Sequence, residues 1–145
     1  MIKYLLFYLT TFFTFSLSSS YKYYLLTAQK WCTSEYQIHG LWPQYGYDTY
    51  PSYCIDAYYV EPEGELKNEM EKYWSSCDNS DLWKHEWLKH GTCTEEQNNF
   101  DESTYFNITI NLFSQNLNLL DKCNQDDCTI GCFDLDFKLM ECPSN

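Results

Sequence analysis

Three histidines are the side chains best able to do chemistry in this chain, and they fall in two short segments. One is Ile38-His39-Gly40-Leu41-Trp42-Pro43. The other is His85-Glu86-Trp87-Leu88-Lys89-His90-Gly91-Thr92-Cys93. On a helix, residues four apart sit roughly 40° apart around the axis. His85 and Lys89 would then form one row and Glu86 and His90 the next. That face carries two imidazoles, an ammonium and a carboxylate, while Trp83 and Trp87 form a further row that can face a core. Gly91 is expected to end the helix. His90 would then lie at the helix C-terminus, where the dipole and Glu86 both favour a protonated ring.

Two chemistries compete for such a set. A zinc hydrolase needs two histidines four apart on one helical face. Here Lys89 holds the fourth position after His85, and five positions to His90 turn the ring by roughly 140° on an α-helix. A lysine ammonium beside the ion would also repel it, so zinc is disfavoured. The other chemistry needs no metal. RNA carries its own nucleophile, the 2′-hydroxyl. One imidazole can take its proton and a second can protonate the departing 5′-oxygen. A nearby cation stabilises the charge that builds on phosphorus. DNA lacks the 2′-hydroxyl and would be spared.

The elements that must position these groups follow from periodicity. Residues 23–31 and 36–42 read as strands, and residues 43–55, with Gly46, Asp48 and Pro51, as a loop. Residues 61–75 read as a helix with Pro62 in its first turn. Asn79, Ser80 or Asp81 can cap a second helix running to His90. A third helix is expected over residues 102–122. Residues 129–142 read as a hairpin turning near residues 134–136. The expectation is an α+β fold, an antiparallel sheet packed against helices and stapled by disulfides.

Composition limits the rest. The net charge is −12 and all the cations of the Lys+Arg count are lysines, nine of them. A protein that tracks long nucleic acid usually carries a basic face. RNA would here be held locally in a cleft, and more tightly at acid pH, as carboxylates are neutralised. Lys3, the apolar residues 4–15 and the serines at 16, 18, 19 and 20 read as a signal peptide cleaved near Ser18 or Ser20. A single domain, residues 21–145, would remain. Eight cysteines behind such a leader read as disulfides of an oxidising compartment. Asn107-Ile108-Thr109 is an acceptor sequence for N-glycosylation.

The two histidine segments resemble the active-site signatures of the ribonuclease T2 family. Gln-Ile-His-Gly-Leu-Trp-Pro at residues 37–43 and Trp-Lys-His-Glu-Trp-Leu-Lys-His-Gly-Thr-Cys at residues 83–93 stand in the family's order. The resemblance implies His39 as general acid, His90 as general base and His85 on the phosphate, with Glu86 and Lys89 steadying the transition state. It also implies that Trp42 and Tyr50 stack a base, that Gln29 lies near a second base, and that Cys54 pairs with Cys93. Cys123 is expected to pair with Cys132, leaving Cys142 unassigned. The family is longer: residues are absent near Cys32, which loses its usual partner, and between the third helix and the tail hairpin.

These readings converge on a secreted, vacuolar or lysosomal acid endoribonuclease. RNA would be its partner, with no metal or other cofactor, no stable membrane association and a monomeric state. The rival of another class is a secreted effector or interaction protein on a shortened ribonuclease scaffold, with catalysis dispensable.

Overall fold

The computed structural model describes residues 20–31, 33–75 and 81–144. The expected signal peptide lies almost wholly outside the described residues. So do the caps Asn79 and Ser80, and the cysteines Cys32 and Cys77.

Four strands form one antiparallel sheet in the order β2-β1-β3-β4: β1 Tyr23–Gln29, β2 Gln37–Gln44, β3 Asp127–Phe133 and β4 Leu139–Met140. Tyr24, Leu26 and Ala28 alternate along β1 and enter the core. The core continues into α1 Gly64–Tyr73 through Met70 and the adjoining Trp74, and into α4 Glu102–Gln115 through Tyr105, Phe106 and Phe113. The α+β expectation is met. Helix α1 starts later than the predicted residue 61 because Gly64 holds a φ of +59°, outside helical space. Asp101 caps α4 by accepting from the Thr104 amide at 2.8 Å. The predicted third helix breaks at Asn116, and residues Leu117–Lys122 continue as a 3-10 helix.

Strand pairing places the first catalytic candidate. Along β2, Ile38 pairs with Ala28 and Gly40 with Thr27, which leaves His39 as the extra residue of a β-bulge. The bulge resets the alternation. Ile38 and Leu41, three apart, both enter the core, and His39 and Trp42 share another face with rings 5.2 Å apart. Bulges commonly re-aim side chains in this way.

The second segment departs from its expected form. Helix α2 Leu82–Glu86 runs into a π-helical turn, Trp87–Gly91, and then into α3 Thr92–Asn98. Gly91 therefore does not end the helix; Asn99 does, in the left-handed conformation. A Cβ at Gly91 would strike the Trp87 ring, so close packing explains the glycine. The π-turn bonds i to i+5, so the α-helical angle assumed between His85 and His90 does not hold.

Three disulfides staple the described residues: Cys54–Cys93, Cys123–Cys128 and Cys132–Cys142. The first agrees with expectation. The Cys123–Cys132 pairing is overturned, because Cys123 meets Cys128 at the entry to β3 while Cys132 faces the returning tail. No helix of the described residues is long and apolar enough to cross a membrane.

Candidate active site

Strand β2 and the π-turn bring the two histidine segments together around one indole. The Trp42 ring lies 5.2 Å from His39 and is stacked 5.2 Å from His90. Its Nε1 donates to Glu86 Oε2 at 2.7 Å. Glu86 Oε1 faces His39 Nε2 at 4.0 Å. Lys89 and His85 are near enough to depress the protonation of His39 and His90. All five proposed catalytic positions thus converge.

The scaffold beneath is specific. The Trp74 Nε1 donates to the His39 carbonyl at 3.0 Å, and Tyr105 Oη to the Leu41 carbonyl at 3.0 Å. Gly40 lies where Glu86 approaches β2; an added Cβ would collide with the Glu86 carboxylate and the Trp42 indole. Gly40→Ala is therefore expected to cost about 1–3 kcal/mol, measured by urea unfolding, with activity lost in parallel. On the helix side, the Lys89 carbonyl accepts from the Tyr53 amide at 2.9 Å. Thr92 Oγ1 accepts from the Cys54 amide at 3.3 Å. With the Cys54–Cys93 bridge, these contacts tie the aromatic loop to the π-turn.

Electrostatics correct one expectation. His90 is not at a helix end. It is 2% exposed. Burial, followed by Lys89, His85 and His39, pushes its pKa down to about 3. The ring is neutral across the mildly acidic range. Burial also lowers His39, against the opposing charge of Asp127. Glu86 is 1% exposed, and burial raises it to about 7 despite Trp42 and Lys89. A group read from sequence as part of a polar face is an acid kept neutral below that pH.

The expected binding residues are placed unequally. Tyr50 is exposed, 5.7 Å from His90, with Lys89 Nζ 5.7 Å from its ring centroid. Trp42 spends one face on His90. Gln29 is buried in β1, with Oε1 lacking a partner. Asn107 is exposed on α4, its amide donating to the Ser103 carbonyl at 2.8 Å. Sequence reasoning missed Trp74, Tyr105 and Asp127. The first two were legible only as apolar positions; Asp127 gave no signal. No group of three or more His, Cys, Asp or Glu side chains among the described residues is arranged as a metal site.

The domain is thus an α+β fold that gathers imidazoles from a bulged strand and a π-turned helix around one buried carboxyl. The sequence matches the family model of the Ribonuclease T2 family over residues 4–129, and the chain belongs to that family. It is 38% identical over 94 residues to Ribonuclease 1 of Arabidopsis thaliana, covering 60% of this chain and 40% of that protein. It therefore spans about 40% of the length of the curated relatives it matches. Among solved structures, the RNase-related protein from Calystegia sepium shares the fold at a TM-score of 0.62 and 23% identity, covering 87% of this chain and 92% of that one. RNase NT in complex with 5′-AMP aligns at a TM-score of 0.53 and 28% identity, over 70% of this chain and 60% of that one.

Proposed function

We propose that the protein cleaves single-stranded RNA by attack of the 2′-hydroxyl on the adjacent phosphorus, without a metal. The observation that carries this reading is the placement of the His39 and His90 rings each 5.2 Å from the Trp42 indole, which also donates to Glu86, with Lys89 near enough to act on both rings. His90, kept neutral by burial, takes the 2′-hydroxyl proton. Its oxygen forms a bond to phosphorus. The bond to the 5′-oxygen breaks as that oxygen receives a proton from His39. The product is a 2′,3′-cyclic phosphate, and the reverse assignment of the two rings lets water open it to a 3′-phosphate. Lys89 supplies positive charge to the phosphate oxygens, and His85 adds to it at the acid end of the range, since burial and Lys89 lower its pKa. Glu86, protonated below pH about 7, donates to a phosphate oxygen where an ionised carboxylate would repel it. Tyr50 is the open ring for a base, and such stacking contributes roughly 1–3 kcal/mol. The nucleotide bound to RNase NT is consistent with a base-binding site in this fold.

The working range is acidic. His90 is neutral above pH about 3, and His39 is protonated only below a midpoint that burial has lowered from 6.5. This range, the disulfides and the leader expected at residues 1–20 suit a secreted protein or one of an acidic vacuole or lysosome, with Asn107 open to glycosylation.

The test is a digest of single-stranded RNA and DNA by the oxidised protein in EDTA at pH 5, with analysis of product ends. RNA is expected to yield 2′,3′-cyclic phosphates and DNA to remain intact. Loss of cleavage on chelation, or equal cutting of DNA, would exclude this mechanism.

A further inference from the structure

His39 Nδ1 lies 3.2 Å from Asp127 Oδ1, on the side of the ring away from Glu86. The two residues come from different strands, β2 and β3, with β1 between them. The gap between them spans two inter-strand spacings, roughly 10 Å of backbone. Both flanking strands bulge at adjacent steps of β1, one on each side of Thr27. His39 is the extra residue on β2, and Ile130 is the extra residue on β3, where pairing passes from Gly131 to Thr129. The small Thr27 lies beneath. It lines the same cavity of about 290 Å³ as His39, Trp42, Asp127 and Thr129, and its hydroxyl donates to the Gly40 carbonyl at 3.2 Å. Nothing in the mechanism above uses Asp127.

We propose that Asp127 is a positioning residue for the general acid: it pairs with Nδ1 of His39, fixes the ring so that Nε2 carries the transferable proton toward the scissile phosphate, and balances the charge of the imidazolium. The inference rests on the assignment of His39 as acid. Its physical basis is the local charge. The groups acting on His39 are Glu86 at 4.0 Å, Asp127 at 3.2 Å, the Lys89 ammonium and, where it is protonated, His85, whose own charged form burial and Lys89 disfavour. Glu86 is neutral in the acidic range. Asp127 is then the anion left to hold His39 protonated against burial and that positive charge. Protonation of His39 is the state the acid must start from. Asp127 is half exposed, so water weakens its charge and the effect is smaller than that of a buried triad carboxylate. Trp31 lies against the same ring, 5.2 Å between centroids.

The tests are Asp127→Asn, close to isosteric at an exposed strand start, and Asp127→Glu as a conservative control. Ring NMR of His39 is recorded through a pH titration, and kinetics are measured on two substrates. One is a dinucleotide with an ordinary 5′-nucleoside leaving group. The other is a uridine 3′-(4-nitrophenyl phosphate), whose leaving oxide needs no proton. In Asp127→Asn, His39 is expected to titrate about half to one pH unit lower. Its kcat on the dinucleotide should fall about 10-fold or more at unchanged KM. The alkaline limb of the rate profile moves to lower pH, and the aryl ester is cleaved at nearly the parent rate. Asp127→Glu should recover part of the loss. An unmoved His39 titration, or equal losses on both substrates, would overturn the proposal. The NMR titration reads the Asp127–His39 pairing even if the parent protein cuts no RNA, so failure of the functional reading and failure of the pairing are distinguishable.

Discussion

Replacing His90 with Ala is expected to lower kcat/KM on single-stranded RNA by about 10³-fold, and His39→Ala by a similar factor, within the 10²–10⁴ range of positioned proton transfer. The two losses should separate when the leaving group changes. An aryl phosphodiester of uridine releases a stable oxide that needs no proton. His39→Ala should therefore cleave it at close to the parent rate, while His90→Ala stays slow because the 2′-hydroxyl still has to be deprotonated. The double variant should be slower than either single one by less than the product of the two factors, since the residues act in one step. His90 is buried between Trp42 and Tyr50, so its removal opens a cavity. His90→Gln, which fills more of the space, and circular dichroism keep the kinetic reading separate from unfolding. Rapid aryl ester cleavage by His90→Ala combined with a slow His39→Ala would reverse the assignment. If both variants retained full biological effect, that effect would belong to an interaction surface instead of the chemistry.

The strands and helices were legible where apolar spacing is unambiguous. Tyr24, Leu26 and Ala28 alternate and enter the core, and the tail hairpin turns where Asp134 Oδ1 accepts from the amides of Asp136 and Lys138 at 2.9 Å each. The helix that holds His85, Glu86, Lys89 and His90 departs from its sequence pattern at one residue, with large consequences. By sequence Gly91 suits a terminator, but it is a contact point for the Trp87 ring. The helix continues, a π-turn intervenes, and His90 is buried in mid-helix. The dipole argument then predicted a raised pKa where burial imposes a lowered one. Glu86 was misjudged for a related reason. A helical wheel shows it beside charged neighbours, but in the fold it is buried and accepts from the Trp42 indole of β2. Asp127 was invisible because its partner lies 88 positions earlier in the sequence and the bulges that join them leave no periodic trace. The set His39, His85, Glu86, Lys89 and His90 was readable because its types and order are distinctive, but the electrostatic state of each member was not.

Glu86 gives the largest expected effect on stability. Its native pKa of about 7 exceeds the 4.5 of the unfolded chain, so between those values the native state binds more protons than the unfolded state. The native fold therefore loses stability as pH rises from 4.5 to about 7, by up to about 3 kcal/mol, and the loss is complete above that range. His90 acts in the opposite sense. Its native pKa of about 3 lies below the unfolded 6.5, so its contribution is full above pH 6.5 and is lost as pH falls toward 3. The two oppose each other between pH 4.5 and 6.5 and produce a broad optimum there. In Glu86→Gln the amide oxygen still accepts from Trp42, and the shape is nearly kept, but the ionisation is gone. Urea unfolding at intervals from pH 4 to pH 8 should show the variant equal to the parent near pH 4 and more stable by up to about 3 kcal/mol at pH 8. Parallel curves would mean that Glu86 is ionised throughout, and its role as a hydrogen-bond donor to phosphate would fall with them. Activity at pH 5 provides the second reading. The Gln side chain can still donate from its amide, so Glu86→Gln should lose about 10-fold or less. Glu86→Ala, with no donor and with the Trp42 indole released, should lose about 10²-fold or more. That ordering follows because burial, against the opposing hydrogen bond from Trp42, sets the protonation of the carboxyl, and the helical face on which the residue sits does not.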